Sequence, residues 1–239
     1  MNQIRRSRRV PAAVLVVGAS LGLPNVADAS LAVRLVNGAH TVTCADNTAC
    51  DGSAEDGNLL LANQSIGGYL FNLTIGVSKP LIGTADQPQL QLTDLSLTPF
   101  GSASGPLSVF ISDTGFTGPT GPTPYQFAAA GTANAADVWF RAYADMGNSL
   151  FGTGALMGEL GPLSGPSFSG TRPVSWAGPA SPYAITLAAQ INPLGSGLSL
   201  TSVSAQLTPV PLPAAGMLFG IGLIGLLGMA GRRGVDPAR

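Results

Sequence analysis

Cys44 and Cys50 are the only two cysteines of this chain, with five residues between them. A redox pair would be spaced C-x-x-C and a metal site would need further ligands, so the spacing predicts a structural disulfide. The chain-entropy model assigns so small a ring about 2–2.5 kcal/mol of stabilisation. The surrounding stretch "ADNTACDGSAEDGN" carries Asp46, Asp51, Glu55 and Asp56. Clustered carboxylates with Asn and backbone carbonyls supply the hard oxygen ligands that calcium takes. The D-x-[DN]-x-[DN]-G order is not present, so a solvated acidic loop competes with a calcium site at these four residues. No other cofactor is expected.

The remaining polar candidates point away from catalysis. Asp113, Thr114 and Gly115 spell D-T-G, whose proteolytic chemistry needs two carboxylates sharing a proton. The chain has no second D-T-G or D-S-G, and a hairpin corner is the alternative. His40 is the sole histidine, which excludes histidine-based metal sites and makes it the compulsory base of any Ser-His-Asp triad. Asp137 with Asp145, or Asp113 with Glu159, would suit a secreted hydrolase only if the fold held either pair about 5–9.5 Å apart across a cleft. Nothing in the sequence brings them together, and the chain reads as a non-enzyme. Trp139, Tyr143 and Trp176 form a possible sugar platform, since aromatic faces stack on pyranose rings. Trp139 and Tyr143 fall on one face of a strand with Arg141, and Phe140 falls on the other.

These residues need a scaffold. Lysine is nearly absent while Gly, Pro, Ser and Thr abound, and hydrophobicity alternates with period two. "YLFNLTIGV" places Tyr69, Phe71, Leu73, Ile75 and Val77 on one face. "LSVFIS" does the same with Leu107, Val109 and Ile111, and "YAITLAAQI" with Tyr183, Ile185, Leu187, Ala189 and Ile191. The phase slips between Leu92 and Leu95 and again between Leu200 and Val203, each slip predicting a bulge. About eight to eleven strands are expected. Together they imply an all-β fold, an antiparallel β-sandwich of Ig-like or jelly-roll type, with a barrel or solenoid as the competitor. The segments 113–125 and 158–173 are expected as a surface loop and a flexible cover.

Both ends differ from this body. Residues 1–29 have a basic start (Arg5, Arg6, Arg8, Arg9), a short apolar run and small residues at Ala27 and Ala29, which predicts a signal peptide cut before Ser30. "SRR" hints at a twin-arginine signal, but the residues that follow favour the general secretory route. From Ala214 to Gly231 eighteen consecutive residues carry no charge, enough for a helix of roughly 27 Å, the span of a bilayer core. Arg232 and Arg233 then favour a cytoplasmic tail. Two further motif matches are accidental. G-x-G-x-x-G at Gly220, Gly222 and Gly225 lies inside the apolar run without a following acid at the required distance. G-x-S-x-G at Gly18, Ser20 and Gly22 lies in the removed leader. The expected divisions are 1–29 signal peptide, 30–209 exported domain, 210–233 sorting segment with transmembrane helix and basic cluster, and 234–239 cytoplasmic tail.

The order of Val210, Pro211, Leu212 and Pro213, an apolar helix, then Arg232 and Arg233 resembles the tail of PEP-CTERM proteins, with Leu212 standing where the motif has Glu. The resemblance implies a substrate of exosortase, a membrane-embedded transpeptidase, in a Gram-negative bacterium. It implies a protein held briefly in the inner membrane, then released or transferred to the cell surface or the biofilm exopolysaccharide matrix. The expected partners are signal peptidase, the exosortase-like enzyme, the inner membrane and possible matrix polysaccharide.

Charge narrows the partners of the body. Seven of eleven basic residues lie in the terminal segments, leaving Arg34, Lys79, Arg141 and Arg172 against ten acids, a body of about −6. Without basic clusters, neither phosphate neutralisation nor counterion release is available, and nucleic-acid binding is excluded.

Overall fold

The computed structural model describes residues 30–100, 105–195 and 198–210. The signal segment up to Ala29, the motif residues Pro211, Leu212 and Pro213, the apolar run Ala214–Gly231, and Arg232 with Arg233 lie outside the described residues. Of the sorting motif only Val210 is described.

Among the described residues, twelve strands form two antiparallel sheets. They are β1 (Ala32–Asn37), β2 (His40–Ala45), β3 (Asn58–Ile66), β4 (Tyr69–Val77), β5 (Leu90–Pro99), β6 (Leu107–Phe116), β7 (Thr123–Asn134), β8 (Ala136–Asp145), β9 (Ala155–Ser164), β10 (Phe168–Trp176), β11 (Tyr183–Pro193) and β12 (Ser199–Pro209). One sheet runs β2-β1-β6-β11-β8-β9 and the other β10-β7-β12-β5-β4-β3. Stacked as a sandwich, they bring β2 over β3 at one edge and β9 over β10 at the other. The inward faces supply one core, including Leu35, Phe71, Leu97, Ile111, Phe127, Phe140, Leu187 and Leu207. Burying these alternating faces is what turns a period-two pattern into a fold.

The two predicted slips are real bulges and lie opposite each other. Asp94 in β5 and Ser202 in β12 both have left-handed backbone, with φ of 50° and 49°. Leu95 pairs with Val203 between them, both fully buried. Asn63 in β3 also has left-handed backbone, with φ of 54°, while the register of β3 against β4 stays unbroken across it. Register shifts run from β12 through β5 to β4 in one sheet.

That line corrects the reading of β4. Tyr69 and Phe71 point inward as expected, but beyond the bulge Thr74 and Gly76 are buried while Ile75 and Val77 are half-exposed. Gly76 suits its inward position, because a Cβ there would lie 2.3 Å from Ile111 Cδ1.

Two expected loops are also partly strand. The segment 113–125 contains the end of β6 and the start of β7, and 158–173 supplies most of β9 and β10. These two are edge strands with a single hydrogen-bonded neighbour each. Their outward positions face solvent, so a long alternating apolar signal was never required there. The count of twelve accordingly exceeds the eight to eleven expected.

Candidate functional site

The outer face of β8 carries the aromatic row. Asp137, Trp139, Arg141, Tyr143 and Asp145 are half-exposed, while Val138, Phe140, Ala142 and Ala144 are buried beneath them. Arg141 is fixed from both sides. Its Nε donates to Glu159 Oε2 of β9 at 2.5 Å, and a terminal nitrogen donates to Gln190 Oε1 of β11 at 3.0 Å. Its guanidinium carbon lies 5.5 Å from the centre of the Trp139 ring. Register explains the arrangement, since Arg141 stands opposite Glu159 on one side and Ala188 on the other. Beside Arg141 and Tyr143 lies a shallow hollow of about 420 Å³, bordered by Phe110, Thr153 and Gln190. An immobilised guanidinium, an amide and two ring faces in one strip can hold sugar hydroxyls and stack on a sugar face.

Trp176 does not join this row. It ends β10 in the opposite sheet and packs against Tyr183, with ring centres 5.9 Å apart. The three-aromatic platform is therefore reduced to Trp139 and Tyr143, because strands adjacent in a sequence reading can belong to different sheets.

The cysteines form the expected bridge, Cys44 to Cys50, which closes the crossing from β2 to β3. Three of the four acids of that crossing, Asp46, Asp51 and Asp56, accept hydrogen bonds from the crossing and the start of β3. Asp46 accepts from Gly57 N at 2.8 Å. Asp51 accepts from Asn47 N, Ser53 N and Leu60 N, and Asp56 from Asn47 Nδ2. Burial raises the Asp46 carboxyl above its ordinary value, and the neighbouring Asp51 and Asp56 charges push the same way. Among the described residues no three His, Cys, Asp or Glu side chains converge as a metal-binding group. His40 is exposed at the start of β2, opposite Asn37.

Neither carboxylate pair is assembled. Asp137 and Asp145 lie eight residues apart along one strand, roughly 26 Å at strand rise. Glu159 is on the outer face with Arg141, whereas Asp113 is wholly buried between the sheets. There Asp113 Oδ2 accepts from Lys79 Nζ at 2.9 Å and from Ser78 Oγ at 2.7 Å, and Oδ1 accepts from Thr114 N at 2.7 Å and Ser30 N at 3.1 Å. The D-T-G aspartate is a structural anion. The sequence signal that could have found its partner is that Lys79 is the only lysine in the chain.

The same pole holds a larger groove of about 790 Å³ that sequence reasoning missed. Asp86, Gln87, Gln89, Thr117, Thr123 and Tyr125 border it together with Pro209 and Val210. The residues come from three separate stretches, 86–89, 117–125 and 209–210, so no local motif announces it. Tyr125 is buried, its hydroxyl has no hydrogen-bond partner among the described residues, and burial pushes the phenol up to about 12.

No family model matches the chain, and no curated protein matches it. Among solved structures it is similar to the enzymatically active domain of tailspike protein 4 of bacteriophage CBA120. The identity is 9%, the match covers 78% of this chain and 20% of that one, and the TM-score is 0.28. The chain thus spans about a fifth of that structure's length, and a likeness this distant carries no argument.

Proposed function

We propose that this chain is an exported, non-catalytic cell-surface or matrix protein, delivered by a cleaved signal peptide and sorted through its C-terminal tail by an exosortase-like transpeptidase. One observation carries the reading. The first and last described residues, Ser30 and Val210, leave the sandwich at the same pole. Ser30 binds Asp113 and Thr114 near the end of β6, and the residues just after β6 border the groove with Pro209 and Val210. A body with both ends at one pole can stand on a membrane tail as a head on a stalk. The Cys44–Cys50 bridge is in keeping with an oxidising compartment. The repeated passage of the chain between sheets after β5 favours a jelly-roll over an Ig-like domain. Intact-mass measurement on envelope and medium fractions tests the reading. The expected species begins at Ser30 and ends near Pro213, and recovery of the full-length chain in the cytosol alone would refute it.

A second reading, a module that binds matrix polysaccharide, is favoured by the fixed Trp139–Arg141–Tyr143 strip. Screening the purified protein on a glycan array is its test. Trp139→Ala should weaken any glycan signal by about tenfold or more, as expected for loss of a stacking contact worth roughly 1–3 kcal/mol in comparable aromatic platforms. Glycan binding unaffected by that change would exclude the strip.

A further inference from the structure

We propose that Ser30 is a charged terminus built into the fold: after cleavage, its α-ammonium pairs with the buried carboxylate of Asp113, so that removal of the leader locks the sandwich. The proposal rests on the export reading above for the cleavage itself. The contact is already in place. Ser30 N lies 3.1 Å from Asp113 Oδ1, and the Ser30 and Thr114 hydroxyls are hydrogen-bonded to each other. Leu31 follows at once, fully buried, and its carbonyl accepts from Asp46 N at 2.8 Å. The nitrogen of Ser30 is therefore held at the carboxylate by two further anchors.

The two oxygens of Asp113 are not equivalent. Oδ2 faces the Lys79 ammonium, which also donates to Thr114 O at 2.6 Å and lies 4.6 Å from the centre of the Phe116 ring. Among the described residues, Oδ1 accepts only from the backbone nitrogens of Thr114 and Ser30. In the precursor both of those donors are neutral amides. Hydrolysis of the Ala29–Ser30 bond consumes one water, leaves a carboxylate on Ala29 and an amine on Ser30, and that amine takes up a proton at neutral pH. A neutral hydrogen bond to a buried anion then becomes a charge-assisted one, which is shorter and about twice as strong. Ser30 is only half-buried, so the remaining ammonium protons keep contact with water.

The test compares chains of residues 30–239 in detergent with a free or an acetylated Ser30, since acetylation keeps one N–H donor and removes the charge. The free form should melt higher by about 2–4 °C or more. The gap should vanish in Asp113→Asn and widen in Lys79→Met, where the terminus becomes the only cation on the carboxylate. The Lys79→Met arm also keeps the test sound if Asp113→Asn fails to fold. Equal melting of the free and acetylated forms, or a gap unchanged by Lys79→Met, overturns the pairing with the cleavage reading intact. N-terminal sequencing of the exported protein is the separate arm. A start at Ser30 supports the proposal, and any other start overturns it through the cleavage reading.

Discussion

Lys79 Nζ and Asp113 Oδ2 meet 2.9 Å apart in the interior of the sandwich, 34 residues apart in the chain. Lys79 follows β4 in one sheet and Asp113 belongs to β6 in the other, so the pair bridges the two layers at the pole where the chain enters and leaves. Both side chains are almost entirely removed from water. A buried ion pair is poor evidence of net stabilisation, but removing one partner strands the other charge.

Asp113→Ala should therefore destabilise the protein by about 3–5 kcal/mol. Urea denaturation read by tyrosine and tryptophan fluorescence measures the loss. A change below about 1 kcal/mol would mean that the lysine finds water or another acceptor when its partner is gone.

Gly118 tests how tightly the groove pole is packed. A Cβ on it would lie 2.2 Å from the backbone oxygen of Asp86, an atom that cannot swing aside, whereas one on Gly121 would meet nothing within 4 Å. Gly118→Ala should cost about 1–3 kcal/mol by overpacking. Gly121→Ala should stay within about 0.5 kcal/mol of wild type. Thermal melts of the two variants side by side would expose any error, most plainly if they matched.

Tyr125 makes stability fall at alkaline pH. Burial holds its phenol neutral up to about 12 in the folded protein, while an unfolded tyrosine ionises near pH ~10. Between those values the unfolded state binds fewer protons, so stability declines as pH rises through that window and is unaffected by this group below it. Burial also raises Tyr183, so Tyr125→Phe should flatten the decline without abolishing it. Near pH 7 the same variant should keep close to wild-type stability, because its hydroxyl has no partner to lose among the described residues. Urea midpoints at several pH values between neutrality and 11 would show whether the two slopes differ.

Much of this architecture could be read from side-chain order alone. Alternation in 107–112 and 183–191 reflects a backbone whose successive residues point to opposite faces, so burial of one face must appear as period two. The slips at Asp94 and Ser202 were visible for the same reason, since an extra residue shifts the phase of everything after it. The Cys44–Cys50 bridge was legible because a short ring brings its own ends together. Composition likewise sufficed for the acidic body. What required the tertiary structure was every relationship between sheets. Trp176 and Trp139 look alike in sequence but sit in opposite layers, and β9 and β10 hide their strand character because edge strands leave much of their surface in water. The meeting of Ser30, Lys79 and Asp113, and the groove between Asp86 and Val210, depend on long-range closure. Local patterns record which way a residue faces, and only the packing of the two sheets decides what it faces.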